Sequence, residues 1–159
     1  MRKILCTCLL WIAMLTAAHA GYLNYLYDNP AIPIIYGHMG GATYLDTTSI
    51  VVKKYDSDGI IFAQNQIYVS YNRDVTEIKN IKAPATVWFY KPLNPSKQYT
   101  TAFIDNVRDI ILPPYVGEDV AYVSYDNAKS WTPFYISNKT GVNMSKRNAF
   151  LMGYQAITG

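Results

Sequence analysis

Apolar and polar residues alternate along much of the chain, and a period of two is the pattern of a β-strand with one buried face. The clearest stretches cover residues 49–55 and 60–71, and both are rich in β-branched and aromatic residues. Asp56-Ser57-Asp58-Gly59 joins them, and this composition favours a tight reversal. The pattern therefore predicts a β-hairpin over residues 49–71.

The second arm of this hairpin has a consistent parity. One set of alternate residues is apolar except at Asn65 and is predicted to face the core: Ile61, Ala63, Ile67, Val69 and Tyr71. The other set is predicted to face away from the core: Gln64, Gln66, Tyr68 and Ser70.

Further stretches also have strand composition. Residues 85–90 form one predicted strand, and residues 119–125 and 131–136 form a second hairpin. Pro133 cannot donate a backbone hydrogen bond to a central ladder, so its strand is predicted to lie at an edge. Residues 98–112 fit a strand by composition and a helix by the spacing of their apolar residues, and we favour the strand.

The two ends of the chain differ from this strand pattern. Residues 21–36 contain two prolines and are predicted to be extended, and the glycines of residues 37–41 predict a turn or bulge before the first strand. Ser145 can cap a short helix through Tyr154 whose apolar face packs on the sheet. Together these elements predict an α+β fold, mainly an antiparallel sheet of about five to seven strands with a C-terminal helix packed on it.

The first twenty residues have the order of a secretory signal: a cationic start, an apolar run over residues 4–15, and small residues before the cut. Ala18 and Ala20 place the cleavage before Gly21. A helix of the apolar run would be about 18 Å long, too short for a hydrocarbon core of about 30 Å. We therefore predict a cleaved leader over residues 1–20 and one exported domain over residues 21–159, periplasmic, surface-bound or secreted, with no transmembrane segment.

Cleavage would change the charge and the cysteine content. Both cysteines lie in the leader, so the mature domain would have no disulfide. Of the 14 cationic residues, 12 would remain against 11 acidic ones. These charges are dispersed, whereas nucleic-acid binding needs clustered cations, so no nucleic-acid partner is expected.

Little catalytic or metal chemistry is available after residue 20. His38 is the one histidine there, and the absence of cysteine excludes thiolate nucleophiles and thiolate metal sites, so no cofactor and no metal are predicted. Asp56-Ser57-Asp58-Gly59 lacks the further oxygen ligands of a calcium loop and is interpreted as a turn. Glycan hydrolysis by two carboxyl groups stays open, with Glu77 and Glu118 as the two glutamates.

Tyrosine is unusually frequent, and all 15 tyrosines lie after residue 20. A tyrosine has a flat apolar ring and a polar tip, so it suits both sheet packing and the recognition of sugars or protein surfaces. The parity of the second arm predicts that Tyr68 lies on the outer face with Gln64 and Gln66, and Tyr122 of the later hairpin is expected to join them. These four residues form the predicted binding surface.

The stretch from Tyr44 to Tyr55, the long strand after it and the ending Phe150-Leu151-Met152-Gly153-Tyr154 resemble small secreted bacterial proteins of the surface-adhesin protein E type. The resemblance implies an antiparallel sheet with a packed helix and a role in the envelope or in adhesion. It brings no catalytic residues. The chain departs from that type in having no cysteine after residue 20, where the adhesin carries a disulfide.

Three hypotheses follow. The first is a non-catalytic envelope or surface module that binds an envelope or host macromolecule through a tyrosine-rich sheet face. The second is a periplasmic glycan hydrolase that uses Asp or Glu. The third is a subunit of a larger envelope assembly that pairs through an edge strand.

Overall fold

The computed structural model describes residues 21–97 and 100–159. The predicted leader, with Ala18 and Ala20, lies outside the described residues, and Gly21 is the first residue within them. The leader and the single-domain boundary at residue 21 therefore stay predictions.

Strands make up about half of the described chain. In chain order they are β1 (Ile34–His38), β2 (Gly41–Asp56), β3 (Gly59–Tyr71), β4 (Ile78–Ile81), β5 (Ala85–Pro92), β6 (Thr100–Ile104), β7 (Val107–Leu112), β8 (Val120–Ser124) and β9 (Thr132–Tyr135). A short 3₁₀ turn covers Leu26–Asp28, and helix α1 covers Gly141–Thr158.

Seven of these strands form one curled antiparallel sheet in the order β1-β2-β3-β5-β8-β9, with β4 paired to the far end of β3. Helix α1 packs on this sheet, so the predicted α+β class is confirmed. Strand β9, which contains Pro133, lies at one edge of the sheet, as predicted. Among the described residues, no helix combines the length and the apolar character that crossing a bilayer requires.

The predicted hairpin over residues 49–71 is confirmed, although β2 begins earlier, at Gly41. Its turn is closed by Asp56, whose Oδ1 accepts hydrogen bonds from the backbone nitrogens of Asp58 at 2.9 Å and Gly59 at 3.3 Å. The carboxylate of Asp56 thus stabilises the turn, as the turn interpretation of residues 56–59 expects. No cluster of three or more potential metal ligands is found in the described part of the chain.

A separate two-stranded sheet, β6–β7, covers one face of the main sheet. The strand interpretation of residues 98–112 is confirmed from residue 100 onward, and residues 98–99 lie outside the description. Four apolar residues of this hairpin are buried against Trp88, Tyr90 and Tyr122: Ala102, Ile104, Ile110 and Leu112. On the same face, near the other end of β3, the N-terminal segment covers a third cluster that includes Leu26 and Tyr44.

Helix α1 covers the opposite face. The helix begins at Gly141, one turn before Ser145, so the predicted cap at Ser145 is wrong: neither proline nor glycine occurs between Gly141 and Ser145, and the helix extends back to Gly141. Phe150 is buried among Phe62, Phe89 and Phe134. The predicted docking of the helix through Phe150, Leu151 and Tyr154 is confirmed.

Candidate functional site

The four predicted site residues do not form one surface. Tyr68 is 43 % exposed and Gln66 is half-buried. Both lie on the face of the sheet that α1 covers, but beyond the apolar residues that contact the helix. Gln64 is fully buried and Tyr122 is 5 % exposed. The structure therefore keeps Tyr68 and Gln66 together and removes the other two from the surface.

The prediction that Gln64 faces away from the core is wrong, because α1 covers that face. Its Nε2 donates to the backbone oxygen of Ala149 at 2.9 Å, which ties the middle of the sheet to the helix. A Cβ on Gly153 would lie 2.4 Å from Gln64 Oε1 and 2.4 Å from Phe62. Glycine at this position lets the helix approach closely enough to bury the amide.

The placement of Tyr122 on the outer surface is also wrong. Tyr122 lies on the other face of the sheet, under the β6–β7 hairpin, where its ring stacks on Tyr90 with centroids 6.1 Å apart. Its hydroxyl donates to the backbone oxygen of Pro114 at 2.8 Å. Burial raises the pKa of this hydroxyl. Tyr122 therefore contributes to the core.

The register of the sheet builds a different surface around Tyr68. Tyr36 pairs with Thr43, Thr43 pairs with Tyr68, and the backbone nitrogen of Lys82 donates to the oxygen of Tyr68 at 2.9 Å. These four residues form one row across the sheet. A second row runs beside it and consists of His38, Gly41, Ser70 and Asn80. We call these eight residues the tyrosine platform.

Tyr68 is held in the centre of the tyrosine platform. Its ring lies across Gly41, where a Cβ would be 2.3 Å from the tyrosine hydroxyl oxygen. The Lys82 ammonium lies 5.1 Å from the centroid of the same ring, within the range of a cation–π contact. A glycine beneath the ring and a cation over it thus restrain the tyrosine side chain.

The β1 end of the tyrosine platform carries two aromatic rings, Tyr36 in the first row and His38 in the second. Tyr36 is half-buried and His38 is exposed, with ring centroids 6.2 Å apart. The adjacent row, formed by Leu45 and Gln66, marks the limit of the helix, because Leu45 is fully buried in the α1 cluster while Gln66 is half-buried. Beyond that row the same face of the sheet is open to solvent at Tyr68 and His38.

Tyr36 and Lys82 were missed at the sequence level. Their row combines residues of β1, β2 and β3 with the residue that follows β4, so no local spacing connects them. One signal was present: Gly41 is the last residue of the predicted turn or bulge, and a glycine at a strand or bulge often marks the close approach of another group.

Other chemical groups have structural roles. Lys91 is 8 % exposed, and its Nζ donates to the backbone oxygens of Glu118 at 2.5 Å and Val120 at 3.1 Å. Burial lowers the pKa of this ammonium. The amine therefore satisfies two carbonyls where the chain enters β8.

The two glutamates lie at opposite ends of the sheet. Glu77 is in the loop that follows Tyr71, at the end of β3. Glu118 precedes β8, where Tyr122 pairs with Tyr90 of β5, and Tyr90 in turn pairs with Ile61 near the start of β3. Ile61 and Tyr71 are ten residues apart on β3, roughly 30 Å along the strand. This separation does not suit a pair of glutamates acting on one glycosidic bond.

Comparisons of the chain with models of protein families, with curated proteins and with solved structures find no match.

Proposed function

We propose that the protein is an exported, non-catalytic module of the cell envelope or cell surface that binds a macromolecule through the tyrosine platform. The observation that carries the proposal is the row of Tyr36, Thr43, Tyr68 and Lys82 on the uncovered end of the sheet. Export is supported by the leader pattern of residues 1–20.

The physical basis is the low cost of binding to a surface that is already ordered. Tyrosine offers a large contact area with few rotatable bonds, so little side-chain entropy is lost when a ligand covers it. Tyr68 is further restrained by Gly41 and Lys82. A platform on paired strands is also more rigid than one on loops.

Co-sedimentation with the insoluble cell-envelope fraction tests the proposal. Cells that express the full-length chain supply the protein, and wild type is compared with Tyr68→Ala and Tyr36→Ala. We expect each substitution to weaken binding about tenfold, the effect of losing an aromatic anchor. Tyr135→Ala is the matched control, because Tyr135 is 59 % exposed on β9 and lies outside the platform.

Binding that is unchanged in both platform variants, or lost equally in Tyr135→Ala, would contradict the proposed surface. Mass spectrometry of the purified protein tests export separately. A chain that begins at Gly21 is expected, and a functional protein that retains Met1 would contradict it.

A further inference from the structure

We infer that the macromolecule bound by the tyrosine platform is an acidic glycan, a chain of sugars that carry carboxylates; this inference rests on the proposed function. The charge of the platform, its hydrogen-bonding groups and its length support this inference.

The charge of the platform is one-sided. Lys82 is exposed and carries a positive charge, His38 adds an exposed imidazole, and none of the eight platform residues is acidic. The nearest acidic residues along β3 and β4 are Asp74 and Glu77, which lie in the loop between these strands. The platform is therefore complementary to an anion.

The ammonium of Lys82 has no carboxylate partner within the described chain. The lysines that form ion pairs there are Lys53, Lys54 and Lys97. Lys82 instead lies over the ring of Tyr68. A carboxylate that approached the ring would meet this ammonium without displacing a competing acid.

The neutral groups of the platform suit sugars. Thr43, Ser70 and Asn80 carry hydroxyl or amide groups, and Gln66 borders them. A sugar presents hydroxyls at its rim and C–H groups on its faces, so it can form hydrogen bonds to these side chains while covering the aromatic rings.

The size of the platform indicates a chain and not a single sugar. From Tyr36 on β1 to Lys82 beside β3 there are three steps between strands, about 14 Å in all. A nucleic acid is a weaker fit, because it carries a phosphate on every nucleotide and the first row offers one lysine.

The test measures binding of the full-length gene product to three polymers by calorimetry: polygalacturonate, its methyl ester and polyglutamate. The methyl ester has the same sugar backbone without the charge, and polyglutamate has the charge without the sugars. We expect binding to polygalacturonate, about tenfold weaker binding to the methyl ester, and weak binding to polyglutamate. Lys82→Gln is expected to weaken binding to polygalacturonate about tenfold, a larger loss than for the methyl ester. Lys79→Gln is the matched control, since Lys79 is also exposed and lies on β4, outside the platform.

Equal binding of polygalacturonate and its methyl ester would overturn the inference that the glycan is acidic but would leave the proposed function intact. Equal binding of polyglutamate would overturn the assignment of a glycan. No binding to any polymer, together with Tyr68-dependent sedimentation on envelopes, would overturn this inference alone. Loss of both binding activities would overturn the proposed function as well. Circular dichroism melting of each variant distinguishes lost binding from lost folding.

Discussion

Arg147 and Asn148 are neighbours on α1 that join the two edges of the curled sheet. Arg147 Nε donates to the backbone oxygen of Ile136, just after β9, at 2.7 Å, and Asn148 Nδ2 donates to that of Ile35 on β1 at 2.8 Å. Arg147 Nη1 also donates to Asn148 Oδ1 at 3.1 Å. The helix therefore closes the gap between β1 and β9 as well as covering the core.

Asn148→Ala tests this closure. The substitution removes the side-chain amide that donates to the backbone oxygen of Ile35. Ile35 is 4 % exposed, so its carbonyl would lose this partner in a buried position. We expect the free energy of unfolding to fall by about 1–2 kcal/mol, measured by urea denaturation. Lys146→Ala, one residue earlier on the helix, should stay within about 0.5 kcal/mol of wild type. Equal effects of the two substitutions would contradict a specific role for Asn148.

Gly153→Ala tests the close approach of the helix to β3. In an exposed helix the change would stabilise by about 1 kcal/mol, because alanine is the better helix former. Here the new Cβ would meet Phe62 and Gln64, so we expect a net loss of about 1–3 kcal/mol. Gln155→Ala, at an exposed position of the same helix, is the control. A higher denaturation midpoint for Gly153→Ala would mean that the helix lies farther from the sheet.

The sequence predicted the strands better than it predicted which faces are covered. The alternation in β3 correctly placed Ile61, Ala63 and Ile67 inward, because parity is a local property of a strand. It could not show that Gln64 is buried, since the covering residue, Ala149, is 85 positions away. Both faces of this part of β3 are covered, and a one-sided pattern does not reveal a second layer.

The sequence predicted part of the candidate site, because parity within one strand can be deduced locally but the residues on neighbouring strands cannot. Tyr68 and Gln66 lie past the end of α1, so their outward parity leaves them at or near the surface. Tyr36 and Lys82 join Tyr68 only through the register between successive strands, which the alternation within one strand does not give. β4 was missed because Ile78-Lys79-Asn80-Ile81 is short and does not alternate. The resemblance to the protein E type stays a prediction.

Tyr44 and Tyr71 provide a test of how the N-terminal segment is held. The hydroxyl of Tyr44 donates to the backbone oxygen of Leu23 at 2.9 Å and contacts the hydroxyl of Tyr71 at 2.5 Å. A carbonyl only accepts, so the proton of Tyr44 points to Leu23 and Tyr71 must donate to Tyr44. Tyr44→Phe breaks both bonds, whereas Tyr71→Phe breaks one.

We therefore expect Tyr44→Phe to cost about 2 kcal/mol and Tyr71→Phe about 1 kcal/mol in urea denaturation. Limited proteolysis should also cut the segment before Pro33 faster in Tyr44→Phe than in Tyr71→Phe. The opposite order of the two variants would contradict the direction assigned to these hydrogen bonds.

The buried tyrosines predict a loss of stability at alkaline pH. Burial, with the nearby negative charge of Asp58 as a smaller cause, raises the pKa of Tyr90 to about 12. In the unfolded chain a tyrosine has a pKa of about 10, so the unfolded state releases its proton first and unfolding becomes easier as the pH rises. The contribution of Tyr90 is complete below pH 10 and is lost between about pH 10 and pH 12, at roughly 1.4 kcal/mol per pH unit. Urea denaturation at a series of pH values should show this fall, and Tyr90→Phe, which keeps the ring without the hydroxyl, should show a shallower one. A wild-type stability that stays flat from pH 10 to pH 11 would contradict the burial of an un-ionised Tyr90.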